Sequence, residues 1–298
     1  MDFKNVIFQE YPYNVLKFIC EAYTLEINDF KESINEDDVI YCVSDYAGDT
    51  KEDINNTYSF VFITKQELNK FILDIWGFAG DNKVESLSFF EFKKFKKDKV
   101  RKRLLPNFLD MISKVNALSI TVMTDKFFMN QDGNPAEILK ENIDSNFPSH
   151  LAHRIIDICQ IQTFFIALLS NGNHYVWYTD RDAMFDTIEK KEGALTLLKH
   201  HFKFFNVNIK NKKFGLRVDD GKSMEGHILA VPDLLLGAYN DIINSNKNKK
   251  DIKDYSKLIF EWSKCPDSSF KKIIYSIKHE NSEKIRMKNL LNYSIEEL

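Results

Sequence analysis

Four carboxylates fall where a β-rich run ends or a helical run begins. Asp45 closes YCVSD, Asp180 closes HYVWYTD, Asp233 follows Pro232 at the head of VPDLLLGAYNDI, and Glu91 stands between aromatics in FFEFKK. The ends of strands and helices are where side chains distant in sequence converge above a sheet. Carboxylates brought together repel, so such a cluster needs a cation, and Mg²⁺ or Mn²⁺ suits hard oxygen donors. Two such ions, roughly 3.5–4 Å apart, activate a water and stabilise the leaving oxygen of a phosphodiester. Taken singly, each acid is also what a helix cap or a turn selects. The expectation rests on the set: Asp45, Glu91, Asp180 and Asp233 as metal ligands and catalytic groups, with Asp182 and His227 as supporting neighbours. Asp180-Arg181-Asp182 also spells a D-x-D, a metal-diphosphate signature, but that reading leaves Asp45, Glu91 and Asp233 unexplained.

Glu91 opens the most cationic stretch of the chain. Lys93, Lys94, Lys96, Lys97, Lys99, Arg101, Lys102 and Arg103 are opposed there only by Glu91 and Asp98, with Phe89, Phe90, Phe92 and Phe95 interleaved. Cations beside a carboxylate site suit a nucleic-acid backbone, whose binding is largely electrostatic. The alternative is a solvated Lys-rich face over an aromatic stripe. His150, His153 and Asp157 share a helical spacing but lack an H-E-x-x-H pattern, and Asp219-Asp220-Gly221 reads as a turn after a strand.

Alternating elements must position these residues. Helical spacing runs over 13–30, β-rich runs cover 38–46 and 58–64, and helical spacing returns over 66–79. Pro106 interrupts the periodic stretch after Glu91 and predicts a kink or a break between two helical pieces. A strand over 117–124, a long apolar helix over 151–169, a strand over 174–179, a helix over 195–205, a strand over 213–218 and a helix over 231–243 follow. Strands alternating with helices predict an α/β sheet covered on both faces. NSNKNKK, 244–250, reads as a linker, and the Lys-rich remainder, 251–298, as a helical appendage able to serve a protein partner or a second copy.

The 298 residues, 44% hydrophobic with 25 Phe and 12 Tyr, are enough for one large or two modest cores. A net charge of −3 gives no global attraction to phosphate, so any nucleic-acid contact must be local. Cys20, Cys42, Cys159 and Cys265 are widely spaced and unpaired by motif, which predicts a reduced, cytoplasmic chain. Asp2, Lys4 and Glu10 break any signal-peptide core, and no run reaches the ~18 uninterrupted apolar residues of a membrane span.

These motifs resemble the prokaryotic domain-of-unknown-function family 3800. Asp45-Tyr46-Ala47-Gly48 is similar to its first-strand Asp-Glu-Ser-Gly motif but lacks the middle pair, and Glu91-Phe92-Lys93 is similar to its Glu followed closely by Lys. Asp180-Arg181 is similar to its intermediate-strand Asp, and Pro232 to Ala238 to its late Ala-Asp-Leu-Ile-Ala-Gly helix. The resemblance covers about 39–243. It implies a ribonuclease H-like mixed sheet flanked by helices, in a domain of 1–243 that includes an N-terminal helix, with the helical appendage 251–298 outside it. It also implies a Mg²⁺- or Mn²⁺-dependent nuclease acting on DNA or RNA. The alternative is a catalytically silent copy that binds nucleic acid or a partner subunit, in a prokaryotic antiviral defence or toxin system.

Overall fold

The computed structural model describes residues 10–48, 55–83, 90–125, 135–143, 147–169, 173–204, 214–219, 224–266, 268–279 and 285–298. A long strand rich in aromatic and β-branched residues is central. β2 (Asn55–Thr64, NNTYSFVFIT) is buried along its whole length, as a strand covered on both faces must be. β1 (Val39–Ala47) and β3 (Ala117–Asp125) flank it antiparallel, with Asp45 opposite Ser59 and Ser59 opposite Thr121. Gly48 follows β1 at φ 115°, a conformation that favours glycine, and a Cβ there would lie 2.6 Å from the Asn55 carbonyl oxygen. With β4 (His174–Thr179), β5 (Phe214–Val218), β6 (Phe270–His279) and β7 (Ile285–Asn289), the strands form a mixed seven-stranded sheet in the order β5-β4-β1-β2-β3-β6-β7.

The chain divides into two compact units. The first comprises residues 1–39, 127–177 and 181–218. It contains α1 (Glu10–Ala22), α2 (Thr24–Glu32), α5 (Pro135–Ile143), α6 (Ser149–Leu169) and α7 (Ile188–Phe204). The helix expected over 13–30 is two helices that part at Tyr23, whose φ of −122° leaves the helical range. By length and composition α6 could cross a membrane, but most of it is buried against protein, including Ile155, Ile158, Phe165 and Ile166. Asn173 closes this unit's strand entry by donating its side-chain amide to the Asn35 carbonyl at 2.7 Å.

The second unit comprises residues 40–126, 178–180 and 219–298. It holds α3 (Lys65–Asp81), a 3₁₀ segment Phe92–Lys96, α4 (Lys99–Ser113), a second 3₁₀ segment Met224–Leu229, α8 (Ala230–Asn248) and α9 (Asp254–Ser263). β2 runs directly into α3 because Thr64 is both its last residue and the helix cap, its hydroxyl accepting from the Glu67 N–H at 3.3 Å. Pro106 does not separate two helices. It lies inside α4, where burial of Leu104, Leu105, Phe108, Leu109 and Ile112 holds the helix against one missing backbone bond.

Two further expectations are corrected. Residues 244–250 are not a linker, since α8 continues to Asn248 and ends only where Lys249 turns left-handed at φ 52°. The region 251–298 is not a helical appendage. After α9 it supplies β6, parallel to β3, and β7, antiparallel to β6. In FKKIIYSIKH, inside the stretch read as helical and Lys-rich, the β-branched Ile273, Ile274 and Ile277 are all buried in the sheet.

Candidate carboxylate and basic site

Alternation along the strands decides which way Asp45 faces. Asp45 and Ala47 share one face of β1, and their partners Ser59 and Thr57 share that face on β2. Ser59 and Thr121 continue the row, their hydroxyls 2.8 Å apart. The Thr57 hydroxyl donates to Asn240 Oδ1 at 3.0 Å, so α8 covers this face and Asp45 lies on the side of the sheet that carries α8. Asp45 is half-buried and accepts the Tyr46 N–H at 2.8 Å. At the end of β4 the Thr179 hydroxyl donates to the Ser44 carbonyl at 3.2 Å, which sets Asp180, exposed beyond the strand, beside the Asp45 end of β1.

Asp233 sits in the first turn of α8 and accepts the Phe92 N–H at 2.6 Å. One helical turn on, Gly237 receives the Phe92 ring: a Cβ there would lie 2.1 Å from the ring's Cγ. Glu91, Phe92 and Lys93 are thereby pinned to the start of α8. Gly237→Ala is expected to displace the Phe92 ring and cost about 1–3 kcal/mol. Gly80→Ala in α3, where a new Cβ meets nothing within 4 Å, should instead stabilise by about 0.4–1 kcal/mol. Urea titrations of both variants check this pair, and equal effects would refute the Phe92 contact.

The pinned segment brings charges together. The Glu91 carboxylate accepts from Lys94 Nζ at 2.6 Å and lies 3.4 Å from Lys93 Nζ. Burial pushes the Glu91 carboxyl up, but Lys94 and then Lys93 outweigh it and hold it below the usual range. Burial raises Asp233 to about 6, and the nearby Glu91 and Asp180 carboxylates add to the rise against the Phe92 N–H and Lys93. Lys93 is held above its ordinary value chiefly by Glu91, with Asp233 and Asp180 contributing. Glu91, Asp180 and Asp233 thus each interact electrostatically with Lys93, and Glu91 and Asp180 with Asp233. Asp45 stands on the same side of the sheet.

Among the described residues no group of three or more His, Cys, Asp or Glu side chains stands close enough to enclose a metal ion. The donors still suit one: they are hard oxygens, and a cation would stabilise the charged form of Asp233, which burial disfavours. Mg²⁺ needs only one or two carboxylates when waters and substrate phosphates complete its shell.

Asp182 does something more local than expected. Its carboxylate accepts the Met184 N–H at 2.9 Å and shapes the turn after β4. His227 is buried in the second 3₁₀ segment, just ahead of α8. Asp219, set aside from sequence as a turn residue, is tied to the end of β4: its N–H donates to the Thr179 carbonyl at 2.9 Å and its carboxylate accepts the Tyr178 hydroxyl at 2.6 Å. Gly226 closes against that carboxylate, a Cβ there lying 2.9 Å from Asp219 Oδ1. The available signal was its place at the end of a strand, the criterion that selected Asp45 and Asp180. Asp220 and Gly221 lie outside the described residues, as does Phe89.

The cationic stretch follows the pinned segment. Phe90 and Phe95 are fully buried, and Phe90 stacks on Phe108 at 3.9 Å, so the aromatics anchor it as expected. Arg101 pairs with Asp98, the cap of α4, and Lys102 Nζ lies 5.5 Å from the centre of the Tyr255 ring. Lys96, Lys97, Lys99 and Arg103 are exposed. Comparison with family models, curated proteins and solved structures found no match to the chain.

Proposed function

We propose that this chain is a divalent-metal-dependent phosphodiester hydrolase acting on nucleic acid, built on a ribonuclease H-like sheet. The observation that carries the reading is the meeting of Glu91, Asp180 and Asp233, far apart in sequence, in one charged neighbourhood where Asp233 is raised to about 6. The strand order supports the fold reading: β3, β2 and β1 are successive antiparallel neighbours, and β4 and β5 extend the sheet from the other edge of β1, as in a ribonuclease H-like core. Four cysteines outside any disulfide, two of them buried, support a reducing cytoplasmic setting.

One or two of Glu91, Asp180 and Asp233 would hold Mg²⁺ or Mn²⁺ together with waters and substrate oxygens, Asp45 lying on the same side of the sheet. When bound, the ion supplies Lewis-acid stabilisation and a water of lowered pKa. The chain's own groups do the rest. The Phe92 N–H fixes Asp233, and Lys94 fixes Glu91. Lys93, positive, 3.4 Å from Glu91 and interacting electrostatically with Asp233 and Asp180, can transfer its electrostatic partnership to an incoming phosphate. Asp233 can hold or release a proton near neutral pH.

Asp45→Ala and Asp180→Ala are each expected to lower Mn²⁺-supported cleavage of single- and double-stranded DNA and RNA by at least a hundredfold while leaving thermal melting within a few degrees of wild type. Wild-type cleavage rates in both variants would remove these residues from the site. A second reading is favoured by the pairing of Glu91 with two lysines: a silent copy that binds nucleic acid without cutting it. Salt-sensitive binding by the wild-type protein, with no product from any of these substrates in Mg²⁺ or Mn²⁺, would select it.

A further inference from the structure

Lys93, Lys94, Lys96, Lys97, Lys99 and Arg101, with Asp98 and Val100, line an open groove of ≈ 710 Å³ over the first 3₁₀ segment and the start of α4. Six cations face one carboxylate on a chain whose net charge is −3. The groove begins at Lys93, the residue that also touches Glu91 and feels Asp233 and Asp180. Its far part is cationic without compensation: Lys96, Lys97 and Lys99 make no ion pair among the described residues. Among the described residues no aromatic side chain lines it, and Phe90 and Phe95 are buried. Sequence-tolerant grooves that also grip bases do so with exposed aromatic rings, which this lining lacks.

We propose that this groove is a backbone rail. It takes the phosphates of a nucleic-acid strand, leaves the bases outside, and leads the strand to the carboxylates. The inference deepens the phosphodiesterase reading by assigning the strand's path and its indifference to base identity. The chemistry follows from spacing and charge: a run of phosphates is matched by a run of ammonium groups, and affinity comes from counterion release rather than from stacking or base-edge hydrogen bonds.

The test separates this inference from the hydrolytic reading by measuring binding alone, in EDTA, with the Asp45→Ala, Asp233→Ala double variant. Fluorescence anisotropy with labelled dT, dA and dC 20-mers over a salt series is expected to give dissociation constants within about threefold of one another. Adding Lys96→Glu, Lys97→Glu and Lys99→Glu should weaken binding more than tenfold. It should also reduce the slope of log K against log salt by about 2, from about 0.7 per lost phosphate contact on a single strand. A control carrying Lys65→Glu, Lys257→Glu and Lys278→Glu, all exposed and none lining the groove, changes net charge equally and should bind at least fivefold more tightly than the groove triple variant. The rail is overturned if the two triple variants bind alike, or if one homopolymer is preferred by tenfold or more. Neither result depends on whether the wild-type protein cleaves.

Discussion

Asp233→Asn is expected to stabilise the fold at pH 7 by on the order of 1–3 kcal/mol while lowering Mn²⁺-supported cleavage by at least a hundredfold. The carboxyl is raised to about 6 in the fold, against 3.8 for an unperturbed aspartate. Between about pH 4 and 6 the folded chain therefore binds more protons than the unfolded chain, and stability falls as pH rises through that window. At pH 7 the whole penalty of a crowded carboxylate is present. An asparagine removes the charge, yet its amide oxygen can still accept the Phe92 N–H, so the pinning of the Glu91 segment survives. Urea titrations at pH 4 and pH 7 check the linkage: the variant's advantage should be present at pH 7 and nearly gone at pH 4. An Asn variant less stable than wild type at pH 7 would mean that Asp233 is anchoring the fold rather than being held under strain for chemistry.

Lys272→Met is expected to stabilise the protein at pH 7 by on the order of 2–3 kcal/mol. Lys272 is only 6% exposed, on β6, with its ammonium 4.8 Å from the centre of the Trp262 ring. Its Nζ finds no hydrogen-bond partner among the described residues. Burial lowers it to about 8 from 10.5, and the neighbouring Lys271 acts in the same direction. That difference corresponds to about 3 kcal/mol. The sign is the reverse of the Asp233 case. Between about pH 8 and 10.5 the unfolded chain holds the proton and the folded chain does not, so wild-type stability gains as pH rises through that window. Methionine keeps the packing volume and removes the charge, so the gap between variant and wild type should be widest below pH 8 and close towards pH 10.5. Denaturant titrations at pH 7 and pH 9.5 measure it, and a gap that does not narrow would show that the buried ammonium is not its source.

The sequence was most legible where one physical signal dominated. Runs rich in β-branched and aromatic residues, such as ALSITVMT and HYVWYT, are β3 and β4. Helical periodicity located α3 and α8. The reading failed over 251–298, taken whole as helical and Lys-rich: in FKKIIYSIKH the Ile residues enter the sheet while Lys271 and Lys278 keep a strand's polar fringe. Pro106 misled for a related reason, since a local break can be overridden by five buried apolar side chains. At the site, strand and helix ends pointed to Asp45, Asp180 and Asp233. The central place of Lys93 was hidden because a lysine in a run of lysines carries no local mark. Only the contact of Phe92 with Gly237 and Asp233, residues more than a hundred positions away, distinguishes it from Lys96 or Lys97.

The parallel pairing of β3 with β6 has a kinetic cost that the finished sheet conceals. β3 ends at Asp125 and β6 at His279, so on a ribosome adding about 5–20 residues per second the β6 side of β3 waits about 8–30 s for its partner. During that interval ALSITVMT presents an unpaired, β-branched edge, the kind that templates association between nascent chains. Parallel pairing across so long a separation is also intrinsically slow to form. The last strands of this protein thus act as a late-arriving cover, and their timely synthesis protects the newborn sheet from its neighbours.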